Sequence, residues 1–155
     1  MGAASRTKGA AFEREIAGVL FDELGIRFER DLEQYRQGQR GDLIPDDPAF
    51  PFVIECKRRK AGIGCDQAWQ KQAAQAALAA GKIPAVVFRF DRQQARVSVP
   101  MRAFCEAWPV DVWAECTIAG FCFIAREVMA ERAGAWAPND YRDQRDRIVG
   151  KEAEA

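Results

Sequence analysis

The sequence has 155 residues, of which 23 are lysine or arginine, 23 are aspartate or glutamate and none is histidine. This length predicts one domain with a sizeable core, and the lack of histidine excludes Ser-His and Cys-His catalytic pairs. The five cysteines form no C-x-x-C pair, which favours reduced thiols in a cytoplasmic protein over disulfides or a zinc site. No apolar run is long enough to span a membrane, and the N-terminus lacks the apolar stretch of a secretory signal.

The charged residues are unevenly distributed along the chain. Residues 1–102 carry 17 basic and 13 acidic side chains, whereas residues 103–155 carry 6 basic and 10 acidic ones. The first part is therefore mildly basic and the second part is acidic. This distribution is compatible with a polyanionic partner, although a net charge of zero does not require one.

The predicted elements alternate between helices and strands. A helix over 9–24 is indicated by apolar residues at helical spacing, and a second over 65–81 by a run of strong helix formers that ends in glycine. A polar loop or hairpin tip is predicted over 33–41. The predicted strands, which are short apolar or alternating segments between turn residues, cover 26–30, 40–44, 52–59, 84–90 and 95–100. The order α-β-β-β-α-β-β predicts an α/β domain with a mixed sheet.

The pattern changes after the last of these strands. A short helix is predicted over 101–108, and an amphipathic helix over 117–133 carries one apolar stripe that would pack on the domain. From Pro138 the sequence is highly charged, which predicts a solvated helix or a disordered end. We therefore predict a core over 1–102, and a helical C-terminal extension with a charged tail over 103–155 that packs on the same domain.

In the predicted strand over 52–59, three apolar residues lead directly into Glu55 and Lys57. Burial of an ion costs roughly several kcal/mol unless the ion is paired or bound to a metal. Glu55 and Lys57 are two residues apart, so their side chains leave the same face of the strand. Ile54 and Cys56 face the opposite side. Asp42 lies on the preceding predicted strand, and antiparallel pairing would bring it within reach of Glu55, which predicts two carboxylates and one ammonium in a single cleft.

This arrangement predicts a site for a hard divalent cation. Adjacent carboxylates repel one another unless a cation lies between them, and Mg²⁺ prefers oxygen ligands while keeping several waters. Asp42, Glu55 and the backbone carbonyl of Cys56 would supply three oxygens to Mg²⁺, with Mn²⁺ as a substitute. Lys57 would orient a water at the metal or help to deprotonate it. Glu13, on the partly inward side of the first predicted helix, would be a further ligand or hold a water.

Simpler interpretations of these residues stay open. An E-x-K sequence arises by chance in charged proteins, and a strand edge with a glutamate and a lysine is commonly a solvated or salt-bridged face. The KRRK run that starts at Lys57 is a solvated charge run, a nuclear signal or a set of phosphate contacts. We favour phosphate contacts by Arg58, Arg59 and Lys60, because these residues leave the strand beside the predicted metal site.

Five segments occur in the same order as in a known group of nucleases: KGAAFEREIAGVL, GIRFERD, RGDLI, FVIECKRRK and GKIPAVVFRF. This series, over residues 8–102, resembles the archaeal-type Holliday junction resolvases of the PD-(D/E)-x-K nuclease superfamily. The resemblance implies a restriction-endonuclease-like core, in which helices flank a central mixed sheet. It also implies Mg²⁺-dependent cleavage of DNA by a homodimer that nicks both strands of a four-way junction.

Functional positions of this family match individual residues of the chain. By this resemblance, the catalytic set consists of Glu13, Asp42, Glu55 and Lys57. Arg14 and Arg30 match basic positions that contact phosphate in the family. Together with the KRRK run, the predicted DNA contacts are therefore Lys8, Arg14, Arg30, Arg58, Arg59 and Lys60.

The helix predicted after the E-x-K strand carries several glutamines. Related nucleases often have a glutamine on this helix, which makes Gln72 and Gln75 candidate auxiliary residues, although the same glutamines fit an exposed polar face. The chain departs from the resolvases in its neutral charge, in a longer loop before Glu55 and in the extension after residue 102. Because fold and core do not set the substrate, two alternatives stay open: a nuclease acting on flaps, ends or a restriction sequence, and a catalytically inactive DNA-binding module.

Overall fold

The computed structural model, which describes residues 3–32 and 41–134, contains a six-stranded mixed sheet with helices on both faces. In chain order the elements are helix α1 (Ala3–Leu24), strands β1 (Phe28–Arg30), β2 (Leu43–Pro45) and β3 (Phe52–Arg59), helix α2 (Gln67–Ala80), strands β4 (Ile83–Phe90) and β5 (Arg96–Pro100), a 3₁₀ turn (Met101–Ala103), strand β6 (Trp113–Thr117) and helix α3 (Ile118–Arg132). The strands lie in chain order across the sheet. Strands β3 and β4 are parallel, and the other neighbouring pairs are antiparallel.

Strands β3 and β4 can run parallel because α2 connects them. Antiparallel strands can be joined by a tight turn, whereas a parallel pair needs a crossover of this kind. Asp66 caps the N-terminus of α2 by accepting a hydrogen bond from the Ala68 amide at 2.9 Å. Gly81 ends the helix in the left-handed conformation, with φ of 64°. The glycine that predicted the end of this helix is therefore the residue that ends it.

The two faces of the sheet are covered by different helices. On one face, α1 and α3 enclose the main hydrophobic core, to which Phe12 of α1, Phe52 of β3 and Phe121 of α3 belong. On the other face, Ala76 of α2 packs in a smaller cluster with Val53 of β3. Successive residues of a strand point to opposite faces, so β3 contributes to both layers and lies between them.

The predicted fold class is confirmed, and β3 has the predicted bounds. Helix α1 begins earlier than predicted, and β2 is shorter than predicted and begins at Leu43. The short helix predicted over 101–108 is wrong, because only one 3₁₀ turn forms. The Met101 amide then donates to the Val112 carbonyl at 3.0 Å, which closes a loop rather than a helix.

Strand β6 was missed by the sequence prediction. It pairs with β5 along its whole length, with Val97 opposite Cys116 and Val99 opposite Ala114. The strand is only five residues long, and Thr117 is both its last residue and the N-cap of α3, accepting from the Gly120 amide at 3.0 Å. The strong helical pattern that follows therefore concealed the short strand.

Two predictions fall mostly or wholly outside the residues that the structure describes. The loop predicted over 33–41 lies, except for Gly41, outside the described residues, as does the charged tail from Pro138. In the ranges that the structure does describe, no helix combines the length and the apolar composition needed to cross a membrane.

Candidate active site

Asp42 is held against β3 by hydrogen bonds of both its backbone amide and its carboxylate. Strand β2 is antiparallel to β3, with Leu43 opposite Ile54, and the Asp42 amide donates to the Ile54 carbonyl at 2.8 Å. The Cys56 amide donates to Asp42 Oδ2 at 2.6 Å, which fixes the carboxylate beside the strand. Gly41 permits this close approach, since its φ is 78° and a Cβ there would lie 2.7 Å from the Ile54 carbonyl oxygen.

Glu55 lies beneath α2 in a closed set of hydrogen bonds. Only 3% of its side chain is exposed, and Lys57 Nζ lies 3.3 Å from Glu55 Oε2. Gln72 of α2 donates through Nε2 to the same oxygen at 3.0 Å and accepts from Lys57 Nζ through Oε1 at 3.0 Å. Lys57 and Glu55 therefore share the α2 face, as their spacing predicted, and Gln72 ties both of them to the helix.

The electrostatics of the site are dominated by Glu55. Burial, and after it the neighbouring Asp42 carboxylate, raise the pKa of Glu55 to about 7, against the opposing effect of the Lys57 ammonium. Two carboxylates that interact so strongly favour either a shared proton or a cation between them. The structure thus brings together Glu55 and Lys57 of β3 with Asp42, the residue that directly precedes β2.

The donor set of this site fits a hard divalent cation. Carboxylate oxygens are the ligands that Mg²⁺ prefers, and a cation would offset the repulsion that raises the pKa of Glu55. Within residues 3–32 and 41–134, no three Asp, Glu, Cys or His side chains converge closely enough to hold a metal ion. Asp42 and Glu55 would therefore be joined by waters and a backbone carbonyl, for which Cys56 is the predicted source.

Glu13 faces the opposite side of β3. Its carboxylate pairs with Arg30 of β1, with Glu13 Oε2 and Arg30 Nε 2.5 Å apart. Burial raises the pKa of the Cys56 thiol, and the Asp42 and Glu13 carboxylates raise it further. Cys56 packs against the main core, on the face of β3 that α1 covers, and the Glu13 carboxylate there is paired with Arg30.

The predicted DNA contacts fall into two groups. Three of these cations are ion-paired within the chain, as Arg30–Glu13, Arg58–Asp91 and Arg59–Asp66. Arg59 also stacks over the Trp69 ring, with its guanidinium carbon 4.4 Å from the ring centroid. The other three have no ion pair or hydrogen bond to any residue in the described part of the chain; they are Lys8, Arg14 and Lys60. The second group has its charge available to a polyanion.

Of the two candidate glutamines, Gln72 is the one that contacts the site. Gln75 is exposed and makes no hydrogen bond to another residue among those described. Helical spacing distinguishes them, because Gln72 lies three residues after the buried Trp69 and four before the buried Ala76, at the edge of the stripe that faces the sheet. This spacing is the signal that separates the two glutamines in the sequence.

Comparison with known proteins gives a family match over most of the chain. A family model described as "Phage putative PDDEXK endonuclease" matches residues 4–127, which include every residue of the site. Solved structures that are similar to this chain include Hjc, a Holliday junction resolvase from the archaeal hyperthermophile Archaeoglobus fulgidus. That protein is 22% identical in sequence, with a TM-score of 0.45, over 58% of this chain and 70% of the other. No curated protein sequence matches this chain.

Proposed function

Because the chain belongs to this family of phage PDDEXK endonucleases, we propose that it is a Mg²⁺-dependent endodeoxyribonuclease whose active site contains Asp42, Glu55 and Lys57. The observation that carries the proposal is the buried contact between the carboxylates of Asp42 and Glu55, with the Lys57 ammonium 3.3 Å from the second of them. A protein without histidine can hydrolyse a phosphodiester with this set, since carboxylates, a lysine and a metal ion supply the required chemistry.

Each side chain has a distinct part in the proposed reaction. When bound, Mg²⁺ would supply electrostatic stabilisation of the negative charge that develops on the phosphate. The Cys56 amide orients Asp42 toward the site. The side chain of Lys57 is 21% exposed, so its ammonium can donate to a phosphate oxygen or to the attacking water while it remains paired with Glu55. Gln72 fixes the side-chain conformations of Glu55 and Lys57, because rotation of either side chain would break a hydrogen bond.

Glu13 has a more peripheral part in the proposal. Its carboxylate is occupied by Arg30 in this structure, so we propose that it joins the catalytic set only when this ion pair opens. A phosphate near Arg30 would compete with Glu13 for the guanidinium, since Arg binds phosphate and carboxylate with the same planar donors. Binding of DNA would thereby free the carboxylate of Glu13.

For the substrate we propose branched DNA, in particular a four-way junction bound by a homodimer. The order of the sequence segments supports this choice, because it is that of the archaeal-type resolvases. Lys8, Arg14 and Lys60, which have no ion pair among the described residues, would contact DNA phosphates. Such an activity would serve recombination or repair of phage DNA in the cytoplasm.

A comparison of substrates tests this proposal. The protein is incubated with a four-way junction, a flap and a linear duplex, each in Mg²⁺, in Mn²⁺ and in EDTA. We expect cleavage of the junction in both metals and none in EDTA. Preferential cleavage of the flap or the duplex would instead assign the same active site to another target. Binding of DNA without cleavage of any substrate, together with no binding of Mg²⁺ at millimolar concentration, would identify an inactive DNA-binding module.

A further inference from the structure

The loop between β3 and α2, residues 60–66, has an exposed apolar tip that the proposed active site does not use. Ile63 at this tip is 93% exposed, more than any other large apolar side chain in the described ranges. It lies between Gly62 and Gly64. A single exposed aliphatic side chain is common on protein surfaces, so the significance of Ile63 depends on how the loop is held and where it lies.

Strands β5 and β6, the last two in the sheet order, fix the backbone of this loop. Arg96 of β5 donates through Nη2 to the Ile63 carbonyl at 2.8 Å, and Glu115 of β6 accepts from the Cys65 amide at 2.7 Å. Arg96 and Glu115 are themselves paired at 2.7 Å. A loop anchored in this way presents its tip with little further loss of conformational entropy on binding.

The backbone of the loop packs closely against the Phe90 ring at Gly62. A Cβ on Gly62 would lie 2.2 Å from the Phe90 ring, so a larger residue there would displace either the ring or the loop. Phe90 in turn is buried beside Trp69 of α2. The loop backbone is therefore held against the domain, and the Ile63 side chain points away from it into solvent.

The position of the loop connects it to the proposed active site. Strands β3 and β4 are parallel and end at the same level, with Arg59 opposite Phe90. The loops that follow them therefore lie side by side at the C-terminal ends of these strands. Lys60 in the first loop and Arg92 in the second are exposed and have no ion pair or hydrogen bond within the described residues. Glu55 lies four residues before Arg59, or about 13 Å along the strand, which is the axial length of about four nucleotides.

We infer that the loop 60–66 is a DNA-binding element in which Ile63 inserts between bases at an unstacked or branched position, while Lys60 and Arg92 contact the flanking phosphates. Apolar side chains such as isoleucine are used to separate base steps, and a step that is already unpaired is the easiest to open. This inference rests on the proposed nuclease function and deepens it, because it selects irregular DNA. It also gives Glu115 of β6 a role in positioning the loop.

The test measures base unstacking directly, without cleavage. The full-length protein is mixed in EDTA with a four-way junction, or with a linear duplex, that carries 2-aminopurine at successive positions. The wild type should increase the fluorescence at one step of the junction close to the cleaved bond. Ile63→Ser should lose this increase and bind the junction about tenfold more weakly, since the loss of one buried aliphatic side chain has an effect of that order.

Two further variants control for folding and for surface hydrophobicity. Ile63→Leu keeps an aliphatic tip and should retain the fluorescence increase. Leu78→Ser removes an aliphatic side chain that is 84% exposed on α2 and should behave as the wild type. An increase that persists in Ile63→Ser with unchanged affinity, or no increase at any step with the wild type, would overturn the inference and leave the nuclease proposal intact.

Two other outcomes have different consequences. If the wild-type protein binds neither DNA, the proposed function fails along with the inference. If Ile63→Ser converts a dimer into a monomer in analytical ultracentrifugation and leaves unstacking unchanged, the tip is a contact between copies of the chain, and the inference is overturned.

Discussion

The two faces of the sheet differ in what they bury. The face beneath α1 and α3 encloses an apolar core in which Ile16, Phe121 and Cys122 are fully buried. The face beneath α2 also buries Glu55, and the partly exposed Lys57 ammonium lies beside it. No buried side-chain nitrogen or oxygen lacks a hydrogen-bond partner among the described residues, so these polar groups are fully paired. Burial of apolar groups is explained by folding alone, whereas a charged pair that folding does not require indicates a function.

Removal of the Lys57 ammonium from the α2 face should have a large effect on activity. Lys57→Met should lower the cleavage rate by about a hundredfold or more, because a correctly placed proton donor or acceptor contributes at least that factor. Lys71→Met is the matched control, since Lys71 is exposed on α2 and makes no ion pair or hydrogen bond to another described residue. Single-turnover cleavage of the junction in Mg²⁺ measures both rates, and equal rates would place the chemistry elsewhere.

The second prediction concerns stability, because the pKa of Glu55 is raised from 4.5 to about 7. As the pH rises, the unfolded chain loses this proton near pH 4.5, while the folded protein keeps it until about pH 7. The free energy of unfolding should therefore fall across this window by roughly 2–3 kcal/mol in the absence of divalent metal. Glu55→Gln carries no titrating group and should lack this fall.

Urea unfolding at pH 4.5 and pH 8 in EDTA measures this difference. The Glu55→Gln variant should be the more stable protein at pH 8, and addition of Mg²⁺ should stabilise the wild type more than the variant. Glu29→Gln, at an exposed position on β1, should retain the pH dependence of the wild type. A parallel pH dependence in wild type and Glu55→Gln would show that Glu55 is not the group that titrates.

A smaller effect should follow from loss of the amide that links the site to α2. Gln72→Ala should reduce kcat by about tenfold with little change in KM, because Gln72 positions Glu55 and Lys57 rather than binding substrate. Gln75→Ala, one turn along the same helix, should leave both constants unchanged. If the two variants behave alike, the contacts of Gln72 do not matter for the reaction.

The smallest expected effect concerns one exposed cation. Lys60→Gln should weaken DNA binding by only a few-fold at physiological salt and reduce the slope of log K against log salt by about 1. Lys82→Gln is the control, since Lys82 follows α2 at the opposite end of the β3–β4 pair. Titrations at three or more salt concentrations measure the slope, and an unchanged slope for Lys60→Gln would remove this residue from the DNA path.

The central part of the site could be predicted because local rules determine it. The two-residue period of a strand places Glu55 and Lys57 on one face, and antiparallel pairing places Asp42 beside them. The end of α2 could be predicted because Gly81 caps it, whereas the helix begins at Gln67, two residues later than predicted. The PD-(D/E)-x-K nuclease superfamily predicted from the order of segments is confirmed by the family match over residues 4–127.

The remaining features depend on how the elements pack. The pairing of Glu13 with Arg30 depends on the angle at which α1 crosses the sheet, and no local pattern specifies that angle. The hydrogen bonds of Gln72 likewise depend on the height of α2 above β3. The anchoring of the loop by Glu115 could not be predicted while β6 was missed, because the contact joins residues 50 positions apart in the chain.

The most direct test of the central claim compares the wild type with Glu55→Gln on one DNA junction. Cleavage is followed in Mg²⁺, and binding of the same DNA is measured in EDTA. We predict that the two proteins bind DNA with affinities within about twofold of one another, while cleavage by the variant falls at least about a thousandfold, since the loss of an essential carboxylate at a metal site removes the chemical step. Equal cleavage by the two proteins would contradict the assignment of this site.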